Sequence, residues 1–186
     1  MRLWIRAIIY MLVVGAAWLV LLPSAIVYAE TRPFEIQLRT WQLTAFGLSL
    51  LVVGAALALW AGFVLVYFGK GTPLPLDPPV RLVTNGPYGY VRNPQGIAMT
   101  LMAIGEALII NSTLIWFLPL LTVLYLEGLV GPLERGQLFR DFGQVYREYE
   151  ANVGKWLPRQ LTSSRIRGES SHPTNSRPGH GTDRDA

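Results

Sequence analysis

Arg92 is the residue around which chemistry could be built. It stands in Gly86-Pro-Tyr-Gly-Tyr-Val-Arg-Asn-Pro94, directly ahead of a helix start: Asn93 is a good N-cap, and Pro94 has no N–H to lose at a first helical position. A helix N-terminus carries partial positive charge and N–H donors, and the guanidinium adds a full charge beside it. Together they suit a carboxylate or another anion. Tyr88 and Tyr90 accompany them. Aromatic faces stack on a purine and attract onium cations, although a single Tyr at a membrane boundary is more often an interfacial anchor. Upstream, Val80-Arg-Leu-Val83 offers backbone groups and a second guanidinium, Arg81.

Three carboxylates complete the set. Glu106 and Glu127 fall inside apolar runs and Glu134 just beyond one. A Glu in a membrane span is costly and faces protein or water, so each is a site candidate by default. For Glu106 an interhelical hydrogen bond serves equally well. Glu127 and Glu134 are seven residues apart, so a continuous helix points them the same way, unless Gly128, Gly131 and Pro132 interrupt it.

The elements that must hold these residues are membrane helices. The chain has 186 residues, 51% of them hydrophobic and 15% charged, which predicts an all-α membrane protein. Four apolar runs read as spans: Leu3 to Tyr28, Thr44 to Phe68, Gly96 to Ile110 and Leu114 to Val130. Only Asn111-Ser-Thr113 separates the last two, which predicts a tight helical hairpin. Gly54, Ala55, Ala56, Ala58 and Gly62 give the second span small faces for close packing. Trp4, Trp41, Tyr67 and Trp116 mark span ends. Arg2, Arg6 and Val27-Tyr-Ala29 also resemble a cleavable secretory signal, but the apolar stretch is longer than a usual signal core and reads as a span.

Arg2 and Arg6 precede the first span, Lys70, Arg81 and Arg92 lie between the second and third, and Arg135, Arg140 and Arg147 follow the fourth. The positive-inside rule then predicts cytoplasmic termini in a plasma-membrane protein, with the 70–93 loop and the C-terminal segment on one side. That loop contains Gly71-Thr-Pro-Leu-Pro-Leu-Asp-Pro-Pro79, a stiff extended stretch that is either a linker or one wall of a cleft. After Val130, the positions Leu133, Leu138, Phe142, Val145, Tyr146, Tyr149 and Val153 predict a cytoplasmic amphipathic helix, weakened at Gly143. From Leu161 the composition is that of a disordered polar tail. The expected division is a membrane domain over residues 1–159 and a tail over residues 160–186.

Several chemistries are excluded. With no Cys there is no disulfide, thiol nucleophile or thiolate metal site, and the only histidines, His172 and His180, lie in the tail, so no metal site is expected. A net charge of +4 is explained by arginines flanking the spans, so the expected counter-charge is lipid headgroups rather than nucleic acid.

Gly86-Pro-Tyr88, Val91-Arg-Asn-Pro94, the Leu-rich hairpin, Glu134, Leu138, Phe142-Gly143, Tyr146, Tyr149, Val153 and Trp156-Leu-Pro158 together resemble the isoprenylcysteine carboxyl methyltransferase and phospholipid methyltransferase superfamily. The resemblance covers about residues 69–159. It implies a membrane-embedded methyltransferase that uses S-adenosylmethionine on a lipid-embedded or amphiphilic acceptor: an isoprenylcysteine-like carboxylate or a phospholipid amine. Carried over by position, the cofactor-contacting residues are Val80, Arg81, Leu82, Val83, Tyr88, Asn93, Pro94, Gln95, Gly96 and Glu134. Arg92 and Glu127 are the expected catalytic residues; for an amine acceptor, Glu127 or Glu134 is the candidate base. Asn93 stands where the family often has His, Gly96 where it often has Tyr, and Arg135 in place of the second acid of a Glu-Glu pair. Asn93 is the milder change; Gly96 and Arg135 favour the alternative, a non-catalytic membrane protein that keeps the fold and binds a lipid or partner. A reductase using a reduced nicotinamide is a third reading, opposed by the lack of a Gly-rich dinucleotide fingerprint after a strand.

Overall fold

The computed structural model describes residues 3–30, 40–72 and 79–159. Residues 1–2 and 31–39, the proline-rich 73–78 stretch and the tail from residue 160 onward, for which disorder is expected, lie outside the described residues. Four helical rods make up the described protein: α1 (Leu3–Ala29), α2 (Trp41–Gly69), α3 (Pro94–Ile110) and α4 (Leu114–Asn152). Three are long and apolar enough to cross a membrane. The shorter α3, at 17 residues, rises about 26 Å, slightly less than a hydrocarbon core of about 30 Å. The expected hairpin of α3 and α4 is present. Asn111 turns it with a left-handed backbone (φ 53°), which Asn tolerates better than most residues. Each long rod contains one widened turn: Ala17–Leu21, Leu65–Gly69 and Leu126–Val130.

Local chemistry explains where the rods begin. Thr40 caps α2, its Oγ1 accepting from Leu43 N at 3.3 Å. The start of α4 is capped from another element: the Glu30 carboxylate, at the end of α1, accepts from Thr113 N at 3.0 Å and from Ser112 Oγ. The Ser112 hydrogen bond is the main reason that the Glu30 pKa lies below its usual value. A carboxylate at a helix N-terminus is also favoured by the dipole.

The tightest seam joins α2 to α3. A Cβ on Gly47 would sit 2.8 Å from Gly105 O, and one on Gly105 would sit 2.6 Å from Gly47 O. One on Gly54 would meet Met102 Cγ at 2.6 Å and Ala98 O at 2.9 Å. Backbones approach this closely only where side chains are absent, which is how helices associate in lipid. On its other face α3 contributes Ala103 and Ala107 to a buried cluster with Ile115 and Leu118 of α4, against which Leu22 and Ile26 of α1 pack. Glu106 lies between these faces, buried. Its Oε2 has no hydrogen-bond partner.

Candidate active site

The site is assembled at the end of the α2–α3–α4 bundle where α3 begins. Gly69 O accepts from Val80 N at 2.8 Å and Arg81 N at 3.3 Å, fixing the extended run to the end of α2. Gly69 is needed there, since a Cβ would lie 2.8 Å from Val83 Cγ2. Val83 is buried, Leu82 half-buried, and Val80 and Arg81 face outward. Gly86, at φ +58°, then turns the chain under Trp60 and Val64 into the 3-10 turn Gly86–Gly89 that carries Tyr88.

Asn93 caps α3 as expected, with Oδ1 accepting from Gly96 N at 2.8 Å. Its carbonyl also takes Ile97 N at 3.2 Å. At this helix start the Gly96 N–H is therefore taken by the cap and Pro94 has none, while the Ile97 bond is the ordinary first bond of the helix. The Asn93 side chain also fills the space beside Gly96. Pro94 is buried, and Gln95 Oε1 is buried with no hydrogen-bond partner.

The far wall comes from the end of α4. Gly143 leaves helical geometry (φ 50°, ψ −119°), and the chain beyond it packs onto the Tyr88–Asn93 loop. Arg92 N donates to Gly154 O at 2.8 Å and Asn93 N to Lys155 O at 3.1 Å, pairing Val91 with Gly154 in a parallel bridge. Tyr149 OH donates to Tyr88 O at 2.6 Å.

The Arg92 side chain closes the junction. Its Nε donates to Val153 O at 2.9 Å, and one terminal nitrogen reaches Tyr146 OH at 3.3 Å and Glu150 Oε1 at 2.6 Å. Arg135 approaches the same carboxylate as a fork, with both contacts at 3.0 Å. Burial alone would raise the Glu150 pKa, but the two guanidiniums outweigh it and hold the carboxyl below its usual value.

A second charged cluster surrounds Lys155. Its ammonium is 2.7 Å from Glu127 Oε1, and Trp156 Nε1 donates to the same oxygen. Gly131 makes room: a Cβ there would stand 2.7 Å from Lys155 Nζ. Glu134 is exposed as a residue, yet enough protein surrounds its carboxyl to raise its pKa, with the Lys155 charge opposing. Burial raises the Tyr88 hydroxyl, and the next contribution is the negative charge of Glu134. Tyr88, Glu134 and Lys155 are thus electrostatic neighbours.

Of the residues expected from sequence, the structure brings together Tyr88, Arg92, Asn93, Glu127 and Glu134. Val80 and Arg81 are placed at the end of α2, and no hydrogen bond or ion pair among the described residues joins them to the C-terminal wall. Glu150 and Lys155 were not anticipated. Glu150 sits in a charged stretch that reads as solvated surface, and the only local sign of Lys155 is its place beside Trp156-Leu-Pro158.

The geometry can be set against known proteins. The sequence model of the phospholipid methyltransferase family matches residues 43–144. The chain belongs to this family. No curated protein and no solved structure matches it. The phospholipid methyltransferase match spans α2, the loop, α3 and α4 as far as the Gly143 break, which makes the chain a membrane protein of a methyltransferase family. Glu150 and Lys155, which close the site, lie beyond the matched stretch.

Proposed function

We propose that this chain transfers a methyl group from S-adenosylmethionine to an acceptor carried on a lipid or amphiphile, either an isoprenylcysteine-like carboxylate or a phospholipid amine. The observation that supports this reading is the junction of the Tyr88–Gln95 segment with residues 146–156 at one end of the hairpin. It leaves acceptor groups at Glu134 and at the unpartnered, buried Gln95 Oε1. S-adenosylmethionine presents an ammonium, a sulfonium, ribose hydroxyls and an adenine amine, all of which seek such acceptors, and its carboxylate seeks a cation. Glu134 and Gln95 supply the acceptors, while Arg81 and the terminal nitrogen of Arg92 that makes no bond within the chain are the cationic donors for the carboxylate. The donor set fits the cofactor.

Bound there, the cofactor supplies an electrophilic methyl group on sulfur. The chain's task is then to align the acceptor in line with that group and to keep water away. The Tyr88 ring and the run Val80 to Val83 would wall the cofactor, with the turn Asn93–Gly96 behind it. Arg92 would face the carboxylate while Glu150 and Val153 O brace its guanidinium. Glu127, already beside Lys155, would take the proton that an amine acceptor must lose; a carboxylate acceptor needs no such base. The expected orientation, with both termini cytoplasmic in the plasma membrane, places this end of the bundle at the inner surface.

One observation favours the alternative, a non-catalytic protein that binds a lipid or partner. Arg92 spends two of its nitrogens within the chain, and the Asn93 side chain occupies the Gly96 N–H of the helix start. Binding of radiolabelled S-adenosylmethionine to the purified protein in detergent decides between them. Saturable binding supports the methyltransferase reading, and its absence in the intact protein supports the alternative.

A further inference from the structure

A groove of about 810 Å³ runs along α4 on a different face from the one carrying Gly131 and Glu134. Its floor is formed where side chains are missing: Gly136 and Gly143 have nothing within 4 Å of a Cβ position. Its walls are Arg135, Phe139, Gln144 and Arg147. The two guanidinium carbons lie 5.3 and 5.8 Å from the centre of the Phe139 ring, so both cations are drawn to one aromatic ring. None of the lining residues is acidic. Arg135 gives Nε and one terminal nitrogen to Glu150, and no ion pair among the described residues engages Arg147.

We propose that this groove binds the phosphate of an anionic membrane phospholipid, as a site separate from the one that performs methyl transfer. The Arg147 guanidinium, with the one terminal nitrogen of Arg135 that Glu150 does not take, offers charge and donors across an open groove to a phosphodiester. The groove lies just beyond the apolar part of α4, where a span emerges among headgroups. One turn nearer the span, Leu129 and Leu133 are exposed, giving an acyl chain an apolar track that leads to the phosphate. The groove would give Arg135 a second role beside its fork on Glu150. An acid at that position would set a negative charge against Glu150 and remove one of the two cations.

Native mass spectrometry of the intact protein, released from mixed micelles of phosphatidylglycerol and phosphatidylcholine, tests this. The expected result is selective retention of one phosphatidylglycerol. Arg147→Gln and, independently, Gly136→Leu, which fills the groove without touching a charged group, should each lower retention about tenfold, and Arg147→Lys, which keeps the charge but loses the fork, should lower it by less. Equal retention of both lipids would overturn the proposal, as would retention unchanged in both variants. Displacement by millimolar inorganic phosphate would show that a free anion, rather than a lipid, is the ligand, and would overturn it too. Radiolabelled S-adenosylmethionine binding should be unaltered in Arg147→Gln. A parallel loss would place the groove inside the methyl-transfer site and defeat the claim of a separate one.

Discussion

Arg92 and Glu150 stand 58 residues apart in the chain and are joined by a 2.6 Å ion pair. That contact, with the Arg135 fork on the same carboxylate, ties the loop before α3 to the chain beyond the Gly143 break. Both partners are largely shielded, with side-chain exposures of 18% and 20%, so the pair is worth more than a surface salt bridge and less than a fully buried one.

Glu150→Gln should therefore lower stability by on the order of 2 kcal/mol, through two guanidiniums left facing a neutral amide. The pH dependence has a definite sign. Because the folded-state pKa lies below the usual 4.5, the contribution is present above that value and is lost as pH falls through the folded value. Thermal unfolding in detergent should separate wild type from Glu150→Gln at neutral pH and bring them together in acid. A constant difference at all pH values would mean that the carboxylate's charge is not what holds the junction.

The α2–α3 seam gives a second expectation. Gly47→Ala would force a methyl group to 2.8 Å from the Gly105 carbonyl, a backbone atom that cannot rotate away. Overpacking of this kind costs about 1–3 kcal/mol. Gly15→Ala, where nothing lies within 4 Å, is the matched control and should be neutral or slightly stabilising. Equal melting temperatures for the two variants would show that the helices part at little cost.

The seam also shows what a sequence does and does not reveal. Gly54 is legible because small residues in an apolar run announce close packing, and the Asn93 cap with Pro94 behind it is legible because both act on neighbouring backbone. The Gly143 break is legible for the same local reason. Gly47 and Gly105, by contrast, matter only because they face each other across two helices, and neither position is marked by its own surroundings. The Arg92–Glu150 pair is of that kind too. Glu150 lies among Arg147, Glu148 and Tyr149, a stretch whose charges read as a solvated face until the fold-back brings Arg92 and Arg135 to it. Helices and caps follow from short-range patterns, whereas the closing wall of the site depends on contacts that no spacing encodes.

Orientation can be measured directly, because the chain has no Cys to remove. Asn85 and Glu148 are exposed and lie in the two segments joined at the site, while Gln42 is exposed at the start of α2. With the site on the cytoplasmic side, an impermeant thiol reagent applied to intact cells should label Gln42→Cys and spare Asn85→Cys and Glu148→Cys. The reverse pattern would invert the proposed topology.

The last expectation concerns Glu134, where stability and function should oppose each other. Burial raises its folded-state pKa above the usual 4.5, so folding favours the protonated form, and stability falls as pH rises from that value through the folded pKa. Glu134→Gln removes this cost and should melt higher than wild type at neutral pH. If the carboxylate receives a cationic or hydroxyl group of S-adenosylmethionine, the same variant should bind the cofactor roughly thirty-fold more weakly, the effect of losing a charged hydrogen bond of about 2 kcal/mol. Arg92→Lys keeps the charge but loses the fork, and should weaken binding as well. Glu106→Gln, placed between α3's two packing faces rather than at the site, should leave cofactor affinity near wild type and alter only the melting temperature. Isothermal titration with S-adenosylmethionine, run alongside thermal unfolding for the same four proteins, reads both quantities. Higher stability with undiminished affinity in Glu134→Gln would make that carboxylate a structural burden with no part in the site.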